Sequence, residues 1–115
     1  MYDKSQMMRG TLEGCILKIL SIETTYGYEI VVKLQYYGFE DVKEGTIYPL
    51  LVRLERKKMI SSEFRPSPLG PSRKYYTLTE DGYTLLKEFE TCWSSVSATV
   101  NSILTLSPDH GSSDN

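Results

Sequence analysis

From Leu86 to Ile103 the apolar residues Leu86, Phe89, Trp93, Val96, Val100 and Ile103 follow one another at intervals of 3, 4, 3, 4 and 3. That is the a/d seam of a heptad, and a helix built this way must lay its one apolar edge on another helix. The segments before it already suffice for a closed core. The spacing therefore predicts that the partner is the same helix, or the first helix, of a second subunit in a two-fold dimer. Thr79 is expected to cap this helix, with Glu80 and Asp81 in its first turn complementing the helix dipole. We expect a dimerisation helix over residues 79–106. The polar run SPDHGSSDN, residues 107–115, is expected to be a disordered tail.

The preceding residues, 5–78, are expected to form one domain. A helix is predicted over Gln6–Ile22, with Met8, Leu12, Cys15, Ile16, Ile19 and Leu20 on one stripe. Thr24 or Thr25 offers an N-cap for a second helix, YGYEIVVKLQYY, whose Ile30, Val31 and Leu34 face inward. Gly38 is placed to end it in the left-handed conformation. After the connector Phe39–Lys43 comes GTIYPLLVRLERK, amphipathic again, with Ile47, Leu50, Leu51 and Leu54 on the buried face. Pro49 falls early in this helix and is expected to distort rather than break it. Ile60–Arg65 and Lys74–Leu78 read as strands. RPSPLGPSR between them, with three prolines, is expected to be an irregular exposed loop. Three helices followed by a hairpin predict a mainly α fold with a small β-hairpin wing, a winged helix-turn-helix.

The third helix carries Thr46, Tyr48, Pro49, Arg53, Arg56 and Lys57 opposite its apolar face, groups suited to a polyanion. The formal charge of the 115-residue chain is −2, yet it is unevenly spread. Residues 43–76 hold Lys43, Arg53, Arg56, Lys57, Lys58, Arg65, Arg73 and Lys74 against Glu44, Glu55 and Glu63, whereas beyond residue 77 only Lys87 opposes the acidic residues. Such asymmetry is the footprint of a nucleic-acid face on a domain with other business elsewhere. A charge run alone usually marks a solvated helix face. Here the basic wing and the helix-turn-helix spacing favour double-stranded DNA. Tyr28 and Tyr48 suit a phosphate contact or plain ring packing equally well. Arg53 is the best placed to pair with guanine O6 and N7 or to clamp a phosphate. Trp93 reads first as seam packing. At a two-fold interface its symmetry mate lies close, so a planar aromatic effector held between two rings is the alternative.

Other classes find little support. The one histidine, His110, lies in the tail, and GPSRK has neither the spacing nor the following helix of a phosphate-binding loop. No enzyme, metal site or cofactor is expected. Cys15 and Cys92 form no metal or redox motif and read as small core residues of a reducing cytoplasm. No apolar run approaches the ~20 residues of a membrane span, and no signal peptide is expected. A winged-helix protein-interaction module without DNA function remains the alternative reading.

The order LEGCILKIL, YGYEIVVKL, EGTIYPLLVRLERKKMI and RKYYTLTEDG resembles the PadR-like transcriptional regulators, over roughly Met8–Ile103. The resemblance implies a homodimeric winged-helix repressor of the short subfamily, with one C-terminal dimerisation helix and an inverted-repeat operator. It puts Tyr28 near phosphates, Thr46, Tyr48, Pro49 and Arg53 on the recognition helix, and Arg73 and Lys74 at the wing base. Lys43 stands where relatives often carry serine, which trades a helix cap for a phosphate contact. Lys57 extends the same basic face. Trp93 matches a position where some members stack planar ligands.

Overall fold

The computed structural model describes residues 1–108, with elements α1 (Lys4–Met8), α2 (Leu12–Ile22), β1 (Thr25–Tyr26), α3 (Gly27–Tyr36), α4 (Glu44–Arg56), β2 (Ile60–Ser67), β3 (Gly70–Leu78) and α5 (Glu80–Leu104). The helix predicted over Gln6–Ile22 is thus two. Gly10 adopts φ +95° between them, and the Thr11 hydroxyl donates to the Met8 carbonyl at 2.7 Å. A left-handed residue cannot continue a right-handed helix, which glycine leaves at little cost.

The expected hydroxyl cap of α3 is not formed. Thr25 is buried and pairs with Tyr76 in the sheet, so Tyr26 takes the N-cap position without a side-chain bond. The far end behaves as the sequence suggests. Gly38 sits at φ +129°, Phe39 N–H reaches the Leu34 carbonyl at 2.9 Å, and Gly38 N–H reaches Gln35 at 3.1 Å. This is a Schellman termination. The connector that follows is pinned by Val42, which is buried and whose carbonyl accepts from Gln35 Nε2 at 2.8 Å. α4 then runs unbroken through Pro49. Ile47, Leu51 and Leu54 are buried, and Leu50 lies half-buried beside them.

The sheet has the order β1-β3-β2, all antiparallel. The segment RPSPLGPSR is more regular than expected. Pairing extends outward to Ser67 and Gly70, leaving Pro68 and Leu69 as the turn. The prolines are tolerated for a topological reason. Pro66 is on the edge strand β2, and Pro71 is on β3 beyond the short reach of β1, where its flank needs no ladder donor. One residue of β2, Pro66, faces two of β3 between the Arg65–Arg73 and Ser67–Gly70 pairs, a bulge that absorbs the irregularity.

One core joins α2, α3, α4 and the sheet, with Ile16, Leu17, Ile30, Ile47, Leu51, Leu54 and Ile60 fully enclosed. Only the start of α5 belongs to it. Leu86 is buried and Phe89 lies against α2, where a Cβ at Gly14 would collide with its ring. Beyond that point α5 leaves the core, and Trp93, Val96, Val100 and Ile103 are exposed in the single chain. Cys92 departs from the expected core position for the same reason, exposed on the projecting part of α5, whereas Cys15 of α2 is half-buried and packs against the core. The radius of gyration, 18.2 Å, well exceeds the ~13 Å of a compact domain near 100 residues. No helix among the described residues is long and apolar enough to cross a membrane. His110 and most of the predicted tail, residues 109–115, lie outside the described residues.

Candidate nucleic-acid interface

α4 presents an exposed face made of Thr46, Pro49, Val52, Arg53 and Arg56, with Tyr48 and Lys57 at its margins. Its N-cap is Lys43, whose side chain makes no capping bond, as a side chain without an acceptor must. That ammonium is exposed at the helix start. At the far end Lys58 adopts φ 66° and closes a second Schellman turn, with Met59 N–H on Leu54 and Lys58 N–H on Glu55, both at 2.9 Å. Arg56, Lys57 and Lys58 therefore cluster where α4 hands over to the wing.

Two ion pairs brace α4 from opposite flanks. Arg53 donates through Nε to Glu13 Oε2 of α2 at 2.7 Å, and its Nη2 bonds the same oxygen. On the other flank Glu55 accepts from the Ser62 hydroxyl of β2 and pairs with Lys74 of β3 at 3.2 Å. The hydroxyl first, and then the ammonium, hold the Glu55 carboxyl below its ordinary range despite partial desolvation.

Tyr48 leans from α4 onto the start of α3. A Cβ at Gly27 would meet its ring, so glycine at that position is what lets the two helices of the motif approach so closely. Burial, helped by nearby Glu44, pushes the Tyr48 phenol up, keeping it a neutral hydrogen-bonding group. Between α3, α4 and the wing base lies a cleft of about 300 Å³ lined by Gly27, Tyr28, Tyr48, Arg73, Lys74 and Tyr76. The uncapped N-terminus of α3 opens beside it. Arg73 stacks 4.4 Å from the centre of the Tyr26 ring, Tyr26 meets Tyr75 edge-on at 5.4 Å, and Arg65 lies 4.7 Å from the Tyr75 ring. This alternation of cation and ring stiffens the wing base. Sequence reasoning missed Tyr26, Tyr75 and Glu13 because each acts through a partner distant in the chain. The aromatic run around residues 75 and 76 was the only trace.

The structure thus gathers Tyr28, Tyr48, Arg73 and Lys74 at one cleft, and aligns Thr46, Pro49 and Arg53 along the adjoining helix face, with Lys43 and Lys57 near its two ends. The seam residues lie elsewhere. Trp93, 52% exposed, borders two apolar grooves, one of about 350 Å³ with Gly14, Cys15, Phe39 and Phe89, the other of about 580 Å³ with Met7, Cys92, Val96 and Val100.

The sequence model of the transcriptional regulator PadR-like family matches residues 16–88. A solved PadR-like transcriptional regulator from Bacillus cereus is 50% identical, with a TM-score of 0.80 over 89% of this chain and 99% of that one. A PadR family transcriptional regulator from Eggerthella lenta is 33% identical, with a TM-score of 0.81 over 90% and 89% of the two chains. An uncharacterized protein of Lysinibacillus sphaericus is 33% identical over 95 residues, 81% of this chain and 87% of its own.

Proposed function

Because this chain belongs to the transcriptional regulator PadR-like family, we propose that it is a homodimeric cytoplasmic repressor that reads DNA with α4 and holds the flanking backbone with the wing. The family is one of DNA-binding transcriptional regulators rather than enzymes. The observation that carries the proposal is the continuity of the exposed α4 face with the cationic, tyrosine-lined cleft at the wing base, in a chain that is acidic overall. Thr46, Tyr48, Pro49, Arg53 and Lys57 would face the major groove. Lys43, Tyr28, Arg73 and Lys74 would meet phosphates.

Two such heads related by the two-fold axis read an inverted repeat with half-site centres roughly 10 to 21 bp apart. On duplex DNA from upstream of the coding sequence, Arg53→Ala is expected to weaken binding by ~1 to 3 kcal/mol and relax specificity at one position. Arg73→Ala combined with Lys74→Ala should weaken binding to every sequence and flatten the salt dependence. If both variants bind as tightly as the parent, α4 and the wing are not the reading surface. If the parent itself shows no salt-dependent retention on DNA, the protein-interaction alternative stands instead.

The exposed Trp93 and its two grooves support release by a planar aromatic effector in the dimer interface. Induction requires that the effector prefer the dimer shape that does not fit the operator. Its signature is Trp93 quenching coupled to DNA release, and quenching without release would refute induction.

A further inference from the structure

We infer that Glu13 is a positioning residue of the DNA-reading surface, holding Arg53 of the recognition helix in one orientation so that it reads a base instead of sweeping along the backbone. The inference rests on the reading of α4 given above. Glu13 stands on α2, outside the helix-turn-helix pair and the wing, and nothing in its local sequence marks it for DNA.

The geometry is specific. Both contacts from Arg53 fall on the single oxygen Oε2 of Glu13 and use the Nε–Nη2 edge of the guanidinium. Among the described residues Nη1 has no partner, and the Arg53 side chain remains 48% exposed. A guanidinium is a planar fork with five N–H donors. When one edge is engaged by a carboxylate, the plane is set and the other edge stays available for guanine O6 and N7 or a phosphate oxygen. A long side chain without such support would lose its rotamer freedom only on binding DNA, and the same charge could settle on any nearby phosphate. A reading group must be locked by its supporting contacts if it is to discriminate.

Charge argues the same way. The Glu13 carboxylate offsets one cation at the surface that approaches a polyanion, so it costs general DNA attraction. Its benefit must lie in orientation. As a half-exposed ion pair, 32% exposed on the Glu13 side, it adds little to folding stability. Loss of Glu13 should therefore leave the fold intact and change discrimination.

The test uses the full-length protein, a duplex enriched by the parent from a randomised library, and a random duplex of equal length. Glu13→Gln should leave the thermal midpoint almost unchanged and lower the ratio of selected to random affinity about tenfold, the worth of one well-placed base contact. Binding of the random duplex should be equal or tighter, with a steeper salt slope, because one more cation is free to displace counterions. Once Arg53→Ala is present, adding Glu13→Gln should lower the ratio no further, since the two act as a unit. An unchanged ratio, or independent losses from the two substitutions, would overturn the role of Glu13 while leaving α4 as the reading helix. If the parent enriches no sequence at all, the reading of α4 fails and this inference with it.

Discussion

Lys58 shows how one residue can be set by the backbone against its own preference. It closes α4 at φ 66°, a region that costs a side-chain-bearing residue roughly 1 to 2 kcal/mol and that glycine visits freely. Lys58→Gly is therefore expected to raise folding stability by up to about 1 kcal/mol, after the larger chain entropy of glycine in the unfolded state is subtracted. Thermal unfolding at low protein concentration checks it. An unchanged or lowered midpoint would mean that the turn is held by something other than its hydrogen bonds. Lysine at this position adds its charge to the cluster it forms with Arg56 and Lys57, which the proposed DNA contact would use. The sequence showed the charge and could not show the φ. Gly38, at the matching turn of α3, was legible because glycine advertises its conformation, whereas lysine at Lys58 conceals it.

Among the elements, the junction of α4, β2 and α5 is the most constrained. The Thr79 hydroxyl accepts from Gly82 N–H at 3.0 Å and lies 2.7 and 2.9 Å from the Lys58 and Met59 carbonyls, so one cap ties the start of α5 to the end of α4. Any Cβ at Gly82 would drive into the Met59 carbonyl and the Leu78 side chain. Gly82→Ala should therefore destabilise the protein by about 2 kcal/mol or more, since backbone must shift rather than a flexible side-chain end. Denaturant unfolding measures it, and a loss below ~0.5 kcal/mol would show that α5 can slide away without cost. The cap at Thr79 was readable, because a hydroxyl before two acidic residues has a local meaning. The need for glycine three residues later was not. It depends on a carbonyl more than 20 residues back in the chain. The same holds for β1, whose two residues form a strand only because β3 passes beside them.

At the scale of the whole molecule, α5 projects from the domain with Val96, Val100 and Ile103 uncovered, the last of them 59% exposed. Apolar residues at heptad spacing along a helix with no partner among the described residues are what the proposed homodimer would cover. On the proposed dimer, Val100→Asp should leave the single-chain fold intact and bring the mass in solution down to the 13.2 kDa of one chain, with DNA affinity falling as the two heads lose their linkage. Sedimentation equilibrium decides between the outcomes. A variant that stays dimeric would place the interface elsewhere.

Local pattern determined the helices from α3 onward, the wing hairpin, the cap of α5 and the heptad spacing along it, because each rests on periodicity or on residues within a turn of one another. Tertiary structure decided the rest. It split the first helix at Gly10, carried the wing strands through their prolines, stacked Arg73 on Tyr26, and paired Glu13 with Arg53 across 40 residues. The reason is that chain proximity governs dihedral preference and capping. Ion pairs, ring stacking and close backbone approach depend on which surfaces meet after the core has closed, and no local window of sequence contains that information.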